Sequence, residues 1–277
     1  MTTDTTYHTP PPARAYEEYF GPAIFGPLSD VTLRQAGPTP GERVLDLACG
    51  TGIVARRVAA ALGPDGRVVG VDVNPAMLAE AARWWSADAT AVEWRLADGA
   101  GTGLPDAAFD LVVCQQGLQF FPDRLAGAGE IRRVLADDGR AVVTVWRGLE
   151  HHPLYEAMIE AELSHLEALG VVTRADLERP FSLDDPDELR ALFTDAGFGH
   201  VTLTHETIEA RFATPDRFVE RMEYAYAAVV PTFAEDPAAF TEYLAAINAE
   251  LAPVVEHHRE GDHVVTRMHA NVVAARP

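Results

Sequence analysis

Through the first half of the chain, short runs of aliphatic residues alternate with stretches where apolar positions recur every three or four residues. The runs predict strands at Arg43–Ala48, Arg67–Asp72, Val92–Leu96, Phe109–Cys114 and Arg140–Trp146. The helical spacing between them predicts helices over Ile53–Leu62, closed by Gly63, over Pro75–Trp85, and over Asp123–Leu135, closed near Gly139. Gly63-Pro64-Asp65-Gly66 reads as a turn leading into the second strand. Strand–helix alternation of this kind demands right-handed crossovers, hence a parallel sheet with helices on both faces. The near-continuous apolar runs "LVVC" and "AVVTVW" agree, because central parallel strands are buried on both sides.

The second half has a different rhythm. A helix is expected over Leu154–Leu169. Further on, Asp185 reads as an N-cap, Pro186 as the first helical residue, Glu188 as the second half of a capping box and Gly197 as the stop. A long alternating strand follows, and "DHVVTRMHANVVAARP" supplies the last one. Between these strands, Thr214-Pro215 and Asp236-Pro237 each read as a capped helix start. The stripes Phe218/Met222/Val229 and Phe240/Leu244/Ile247/Leu251 read as packing faces. The organisation expected is an N-terminal helical segment over 1–40, an α/β core over 41–148 and a helical segment over 149–185. A core helix and strand over 186–211, a helical insertion over 212–261 and a final strand over 262–277 complete it.

Composition narrows the function. A chain of 277 residues, 48% of them hydrophobic, suffices for one large domain with a cap. A net charge of −20 argues against nucleic acid or an anionic membrane surface as partner, since phosphate binding rests on clustered cations. No apolar run reaches the roughly 18 residues of a membrane helix, and the first 20 residues lack the pattern of a signal peptide. Cys49 and Cys114 suggest no disulfide framework. A cytoplasmic, reduced protein is expected.

Chemistry centres on "VLDLACGTGIVA", Val44 to Ala55, where Gly50-x-Gly52-x-x-Ala55 fits the dinucleotide fingerprint. Four stretches in order, "VLDLACGTG", "VVGVDVNPAML", "RLADGAGTGLPDAAFDLVV" and "CQQGLQFFPD", resemble the motifs of class I S-adenosylmethionine-dependent methyltransferases acting on small molecules. The resemblance implies a Rossmann-like, seven-stranded, mostly parallel sheet with an antiparallel last strand, helices on both faces and a helical lid. It implies S-adenosyl-L-methionine as cofactor. Gly50 and Gly52 would let backbone approach its methionine part, the start of the following helix would suit its carboxylate, and Asp46 would accept from its ammonium. Asp72 would grip the ribose and Asp98 the adenine amino group. Ala48, Val73, Met77, Ala97, Gly99, Gln115 and Tyr19 would complete the niche. A diphosphate would be repelled by Asp46, which disfavours a nicotinamide cofactor.

In an open parallel sheet, ligands bind beyond the carboxyl ends of the strands. The exits here are Gln115-Gln116 and Arg147–His152, which makes His151 and His152 the candidate bases, with His205 and Glu206 behind them. Tyr16, Phe20, Phe25, Gln119, Trp146, Tyr155 and Tyr224 are the candidate pocket, suited to a hydrophobic or aromatic acceptor. "EHHREGDH", Glu256–His263, matches no metal-ligand spacing, so no metal is expected. The function expected is methyl transfer to a small molecule, in specialised metabolism, by a monomer or homodimer without nucleic-acid or membrane partners. A cyclisation using the same cofactor, or an NAD-dependent oxidoreductase, are the alternatives.

Overall fold

The computed structural model describes residues 11–85, 90–166, 172–226 and 237–277. The expected helix end at Leu169, and Val229 and Asp236 in the insertion, lie outside them. Four of the five residues of the first strand, β1 (Arg43–Leu47), are buried, and its side chains alternate between two cores. Val44 joins one cluster with Leu28, Val58 and Leu111, while Leu45 and Leu47 join the other with Val112, Ile131 and Phe193. That double burial is what its apolar sequence requires.

Parallel partners flank β1 on both sides: β2 (Arg67–Asp72) and β3 (Val92–Leu96) on one, β4 (Phe109–Gln115) and β5 (Leu135–Trp146) on the other. The order β3-β2-β1-β4-β5 reverses between β1 and β4, so the exits of these two strands form the switch point. β6 (His200–Ala213) and β8 (His263–Arg276) complete the sheet, with β8 antiparallel to both β5 and β6. The expected seven strands are all present, and a two-residue strand, β7 (Arg259–Glu260), adds an eighth by folding back on β8.

Helices α1 (Pro12–Phe20) and α2 (Gly26–Ala36), joined by a π turn over Gly21–Phe25, precede the sheet. Arg140 of β5 caps the end of α2: its guanidinium donates to the carbonyls of Ala36 (2.6 Å) and Gly37 (2.8 Å) while paired with Glu42 (2.8 Å). α3 (Ile53–Leu62), α4 (Pro75–Arg83) and α5 (Arg124–Val134) are the crossovers. α5 is shorter than expected. Leu135 leaves it to pair with Phe109, and a register shift then carries the pairing on to Leu111↔Arg140.

The remaining helices are α6 (Pro153–Leu166), α7 (Arg174–Glu178), α8 (Pro186–Asp195), α9 (Phe218–Tyr226) and α10 (Pro237–His257). Asp185 caps α8 through the N–H groups of Asp187 (2.7 Å) and Glu188 (3.3 Å). The capping box is not closed, because the Glu188 side chain turns to Arg124 (3.4 Å). Thr214 sits at the N-cap of a 3₁₀ turn with Pro215 following, but its side chain makes no capping bond: its backbone is left-handed and its hydroxyl donates to Ala213.

Where α6, α9 and α10 meet, two carboxyl groups are buried together. Glu162 of α6 faces Glu223 of α9, and Tyr243 of α10 donates to Glu223 (2.9 Å). Burial raises Glu162 well above the carboxylate range and pushes Glu223 up to about 7. Groups raised in the fold favour it while protonated. The contribution of Glu223 is lost as pH climbs from the ordinary value of 4.5 through about 7. Glu162→Gln keeps a donor and removes a charge. It should match the parent in urea unfolding at about pH 5 and exceed it by on the order of 2 kcal/mol at about pH 8.

Candidate functional site

The exit of β1 is backbone under strain. Ala48 has φ 56°, and the glycines after it, Gly50 and Gly52, have φ 54° and 79°. Gln116, just past β4, has φ 56°. Of the four non-glycine residues with positive φ among the described residues, these two therefore face each other across the switch point. Strain concentrated in this way is characteristic of ligand sites.

Three acids organise the loop. Gly52 caps α3 without a side chain, and the Asp46 carboxylate fills that role from β1, accepting from the N–H of Ala55 at 2.8 Å. Asp46 is almost wholly buried, and burial pushes its carboxyl up to about 8. Asp72, at the end of β2, accepts from Gly50 N–H (2.7 Å) with one oxygen and from Asn74 N–H (2.8 Å) with the other. Burial raises it as well. The third acid is Glu17 of α1, which the sequence did not single out. Its carboxylate accepts from the Thr51 hydroxyl, inside the glycine motif, and pairs with Arg56, which also donates to the Thr51 carbonyl. With side-chain exposures of 8% for Glu17 and 16% for Arg56, this ties the lid to the loop as a nearly dry latch.

The two motif glycines serve different ends. A Cβ on Gly50 would meet nothing, whereas one on Gly52 would collide with the Trp94 ring of β3. The absent side chain of Gly52 thus answers to packing against Trp94, beside the ligand approach expected of it. Along the same edge Val73 is 71% exposed and Leu96 61%, Met77 is buried, and Ala97 N–H donates to Asp72 O (3.1 Å). Asp98 is exposed and closes its own turn on Ala100 N–H (2.8 Å); Phe121 packs against Gly99.

Other candidates separate. Gln115 turns away, accepting from Thr32 (2.7 Å) and donating to Phe25 O (3.2 Å). Tyr19 packs on Phe212 and under Arg221, on the cap side of α1. Tyr16 takes the position toward the loop: burial and the nearby Asp72 charge raise its phenol. Tyr16, Phe20 and Phe25 form one aromatic group; Trp146 and Tyr155 join His152 and Phe181 in another. Tyr224 meets Phe240, in neither group.

His152 is removed from the candidate bases. Its Nδ1 lies 3.1 Å from Gly148 O and its Nε2 accepts from His269 N–H at 3.0 Å, so both ring nitrogens are committed. Burial lowers it to about 4. His151 stays half-exposed, 3.3 Å from Glu150. His205 bonds Asn271 (2.8 Å), and Glu206 is held by Arg34 and Gln35 (2.9 Å each). Among the described residues no group of three metal-ligating side chains converges, and no helix is long and apolar enough to cross a membrane.

Residues 44–139 match a family model described as a methyltransferase domain. Nocamycin O-methyltransferase of Saccharothrix syringae is 37% identical over 125 residues, 45% of each chain. The ubiquinone/menaquinone biosynthesis C-methyltransferase UbiE of Ectopseudomonas mendocina is 31% identical over 186 residues, 64% of this chain and 72% of the relative. The chain spans about half the length of the first curated relatives it matches. A solved structure from Anabaena variabilis, described as a putative methyltransferase from an antibiotic biosynthesis pathway, superposes with a TM-score of 0.61. That match covers 91% of this chain and 97% of the other at 15% identity, a likeness of fold.

Two expectations follow for the loop. Gly50→Ala should cost about 1–2 kcal/mol from left-handed strain alone, and Gly52→Ala distinctly more because Trp94 must also move; paired urea titrations compare them. Glu17→Ala, which strands Arg56, should destabilise by about 3 kcal/mol, against about 1 kcal/mol for Thr51→Val, with early proteolysis of α1 in the former.

Proposed function

The chain belongs to the class I S-adenosylmethionine-dependent methyltransferases, and from that membership we propose that it transfers a methyl group to a small hydrophobic or aromatic acceptor. The observation that carries the proposal is the pair of carboxyl groups, Asp46 and Asp72, anchored under a strained glycine loop at the switch point. The donor set suits a cationic nucleoside and opposes a diphosphate, which would meet two acids at the root of the loop. Gly50 leaves room for backbone to approach, and Val73 and Leu96 offer an exposed apolar wall for a purine.

Asp72 would hold the ribose through lone pairs its two backbone bonds leave unused. Asp46 would lie opposite the positive charge, and Asp98 would take the adenine amino group. When bound, the cofactor supplies a methyl on a sulfonium whose charge is neutralised during an in-line displacement. The chain's part is to position the reactants and exclude water, and Glu17, by latching α1 over Thr51, serves the second task. Of the two histidines after β5, His151 is the one left for proton removal, needed only where the nucleophile holds its proton. Specialised metabolism in the cytoplasm belongs to the same proposal, supported by two unpaired cysteines, Cys49 and Cys114.

Incubation with S-adenosylmethionine and a panel of phenolic and aromatic acceptors should give products heavier by one methylene unit. Rearranged product of unchanged mass, or binding of NADH with no response to S-adenosylhomocysteine, would refute the proposal. Asp72→Ala should weaken S-adenosylhomocysteine binding by about ten- to a hundredfold in calorimetry. Binding a cation beside Asp46 favours its carboxylate, so the free protein, protonated below about 8, should release a proton on binding. Affinity for S-adenosylmethionine should then rise with pH toward that value and level off above it, and Asp46→Asn should flatten the slope.

A further inference from the structure

Two side-chain amides past β4 are buried with much of their hydrogen-bonding capacity unmet. Gln116 is 8% exposed and Gln119 2%. Gln119 Nε2 donates to Gln116 Oε1 at 2.9 Å, and this leaves Gln116 Nε2 and Gln119 Oε1 without a hydrogen-bond partner among the described residues. Turning both amides over exchanges their roles but leaves the same remainder, one NH₂ and one C=O. Buried polar groups are normally matched, so a donor and an acceptor left over side by side need a cause. Gln116 carries a second cost in its left-handed backbone.

The pair sits between two features of the site. On one side, Gly117 abuts the Ala48 methyl and Phe121 covers Gly99, so the segment runs along the first and third loops of the cofactor niche. On the other, Gln119 lines a cavity of about 290 Å³ with Phe120, Phe121, Arg124, Arg179 and Ser182, between α5 and the cap. We propose that Gln116 and Gln119 are the acceptor's recognition pair and take a hydroxyl on an apolar ring skeleton, a phenol or enol. Its O–H donates to one amide carbonyl, its oxygen accepts from the other amide's NH₂, and the skeleton lies along Phe120 and Phe121. A ketone, ether or carboxylate offers acceptors only and leaves the carbonyl unmatched. This deepens the methyltransferase proposal and rests on it.

The test uses the full chain saturated with S-adenosylhomocysteine and two probes, 2-naphthol and its methyl ether, which differ in the donor. Calorimetry should show 2-naphthol binding at least about tenfold tighter, the scale of one matched donor. In Gln116→Leu/Gln119→Leu the preference should vanish while S-adenosylhomocysteine affinity holds. Replacing both amides by apolar groups should leave the unfolding temperature equal or higher, since no partner is stranded. Equal affinity for the probes, no binding of 2-naphthol, a preference that survives in the double variant, or a fall of several degrees in its unfolding temperature overturns the inference. If the parent chain does not bind S-adenosylhomocysteine, the methyltransferase proposal falls with it; if it does, only the acceptor assignment fails.

Discussion

One carboxylate joins the two halves of the site. Asp72 ends β2, yet its oxygens hold Gly50 N–H at the end of β1 and Asn74 N–H at the start of α4. The glycine loop has few ways to stay in a left-handed conformation unaided, since glycine loses more entropy on ordering than any other residue. A charged acceptor aimed at its backbone supplies the order. From that anchor follow the direction of α3, the seat of Thr51 and the position in which α1 can latch.

Collecting acids at one point has an electrostatic cost. Asp46, Asp72 and Glu17 converge on a stretch of about ten residues in a chain whose net charge is already −20. Arg56 offsets Glu17 by direct contact, while Asp46 and Asp72 are carried on backbone N–H groups, and burial raises both. A region of raised carboxyls beside a helix start is poorly matched to itself and well matched to a compact cation. The same reasoning separates this loop from a dinucleotide site of similar glycine spacing, where the helix start meets phosphate directly.

The strands, the crossover helices and the acids Asp46 and Asp72 were legible because periodicity and local motif spacing report directly on them. The misplacements share one cause, contacts between residues far apart in sequence. The packing demand on Gly52 was invisible for the same reason, since Trp94 lies 42 positions on. Tyr16 and Tyr19 are three apart on one helix, and only the packing of α1 against α9 decides which faces the loop. His152 reads as a base because its sequence neighbours say nothing of Gly148 O and His269 N–H. Glu17 had no motif to announce it.

The acceptor side is harder to read for a reason built into the fold. The proposed cofactor niche consists of the turns that immediately follow β1, β2 and β3, so its residues recur at spacings set by βαβ geometry. The opposite wall would be assembled from the segment after β4, from α1, and from helices contributed by two further stretches of chain, after β5 and between β6 and β8. Its side chains are not placed by the repeat of the sheet, and no period or spacing marks them. What marks them instead is physical inconsistency: a glutamine in a left-handed conformation, and amides buried with a donor and an acceptor to spare. Much of the surrounding core satisfies its polar groups, with Thr102 on Glu130 and Arg140 on the end of α2 as examples. The hydroxyls of Tyr19 and Thr144, unmatched among the described residues, are single atoms, not a paired donor and acceptor. A donor and an acceptor left over on two hydrogen-bonded amides beside the loop are therefore a stronger pointer to the proposed acceptor than any residue type in the sequence.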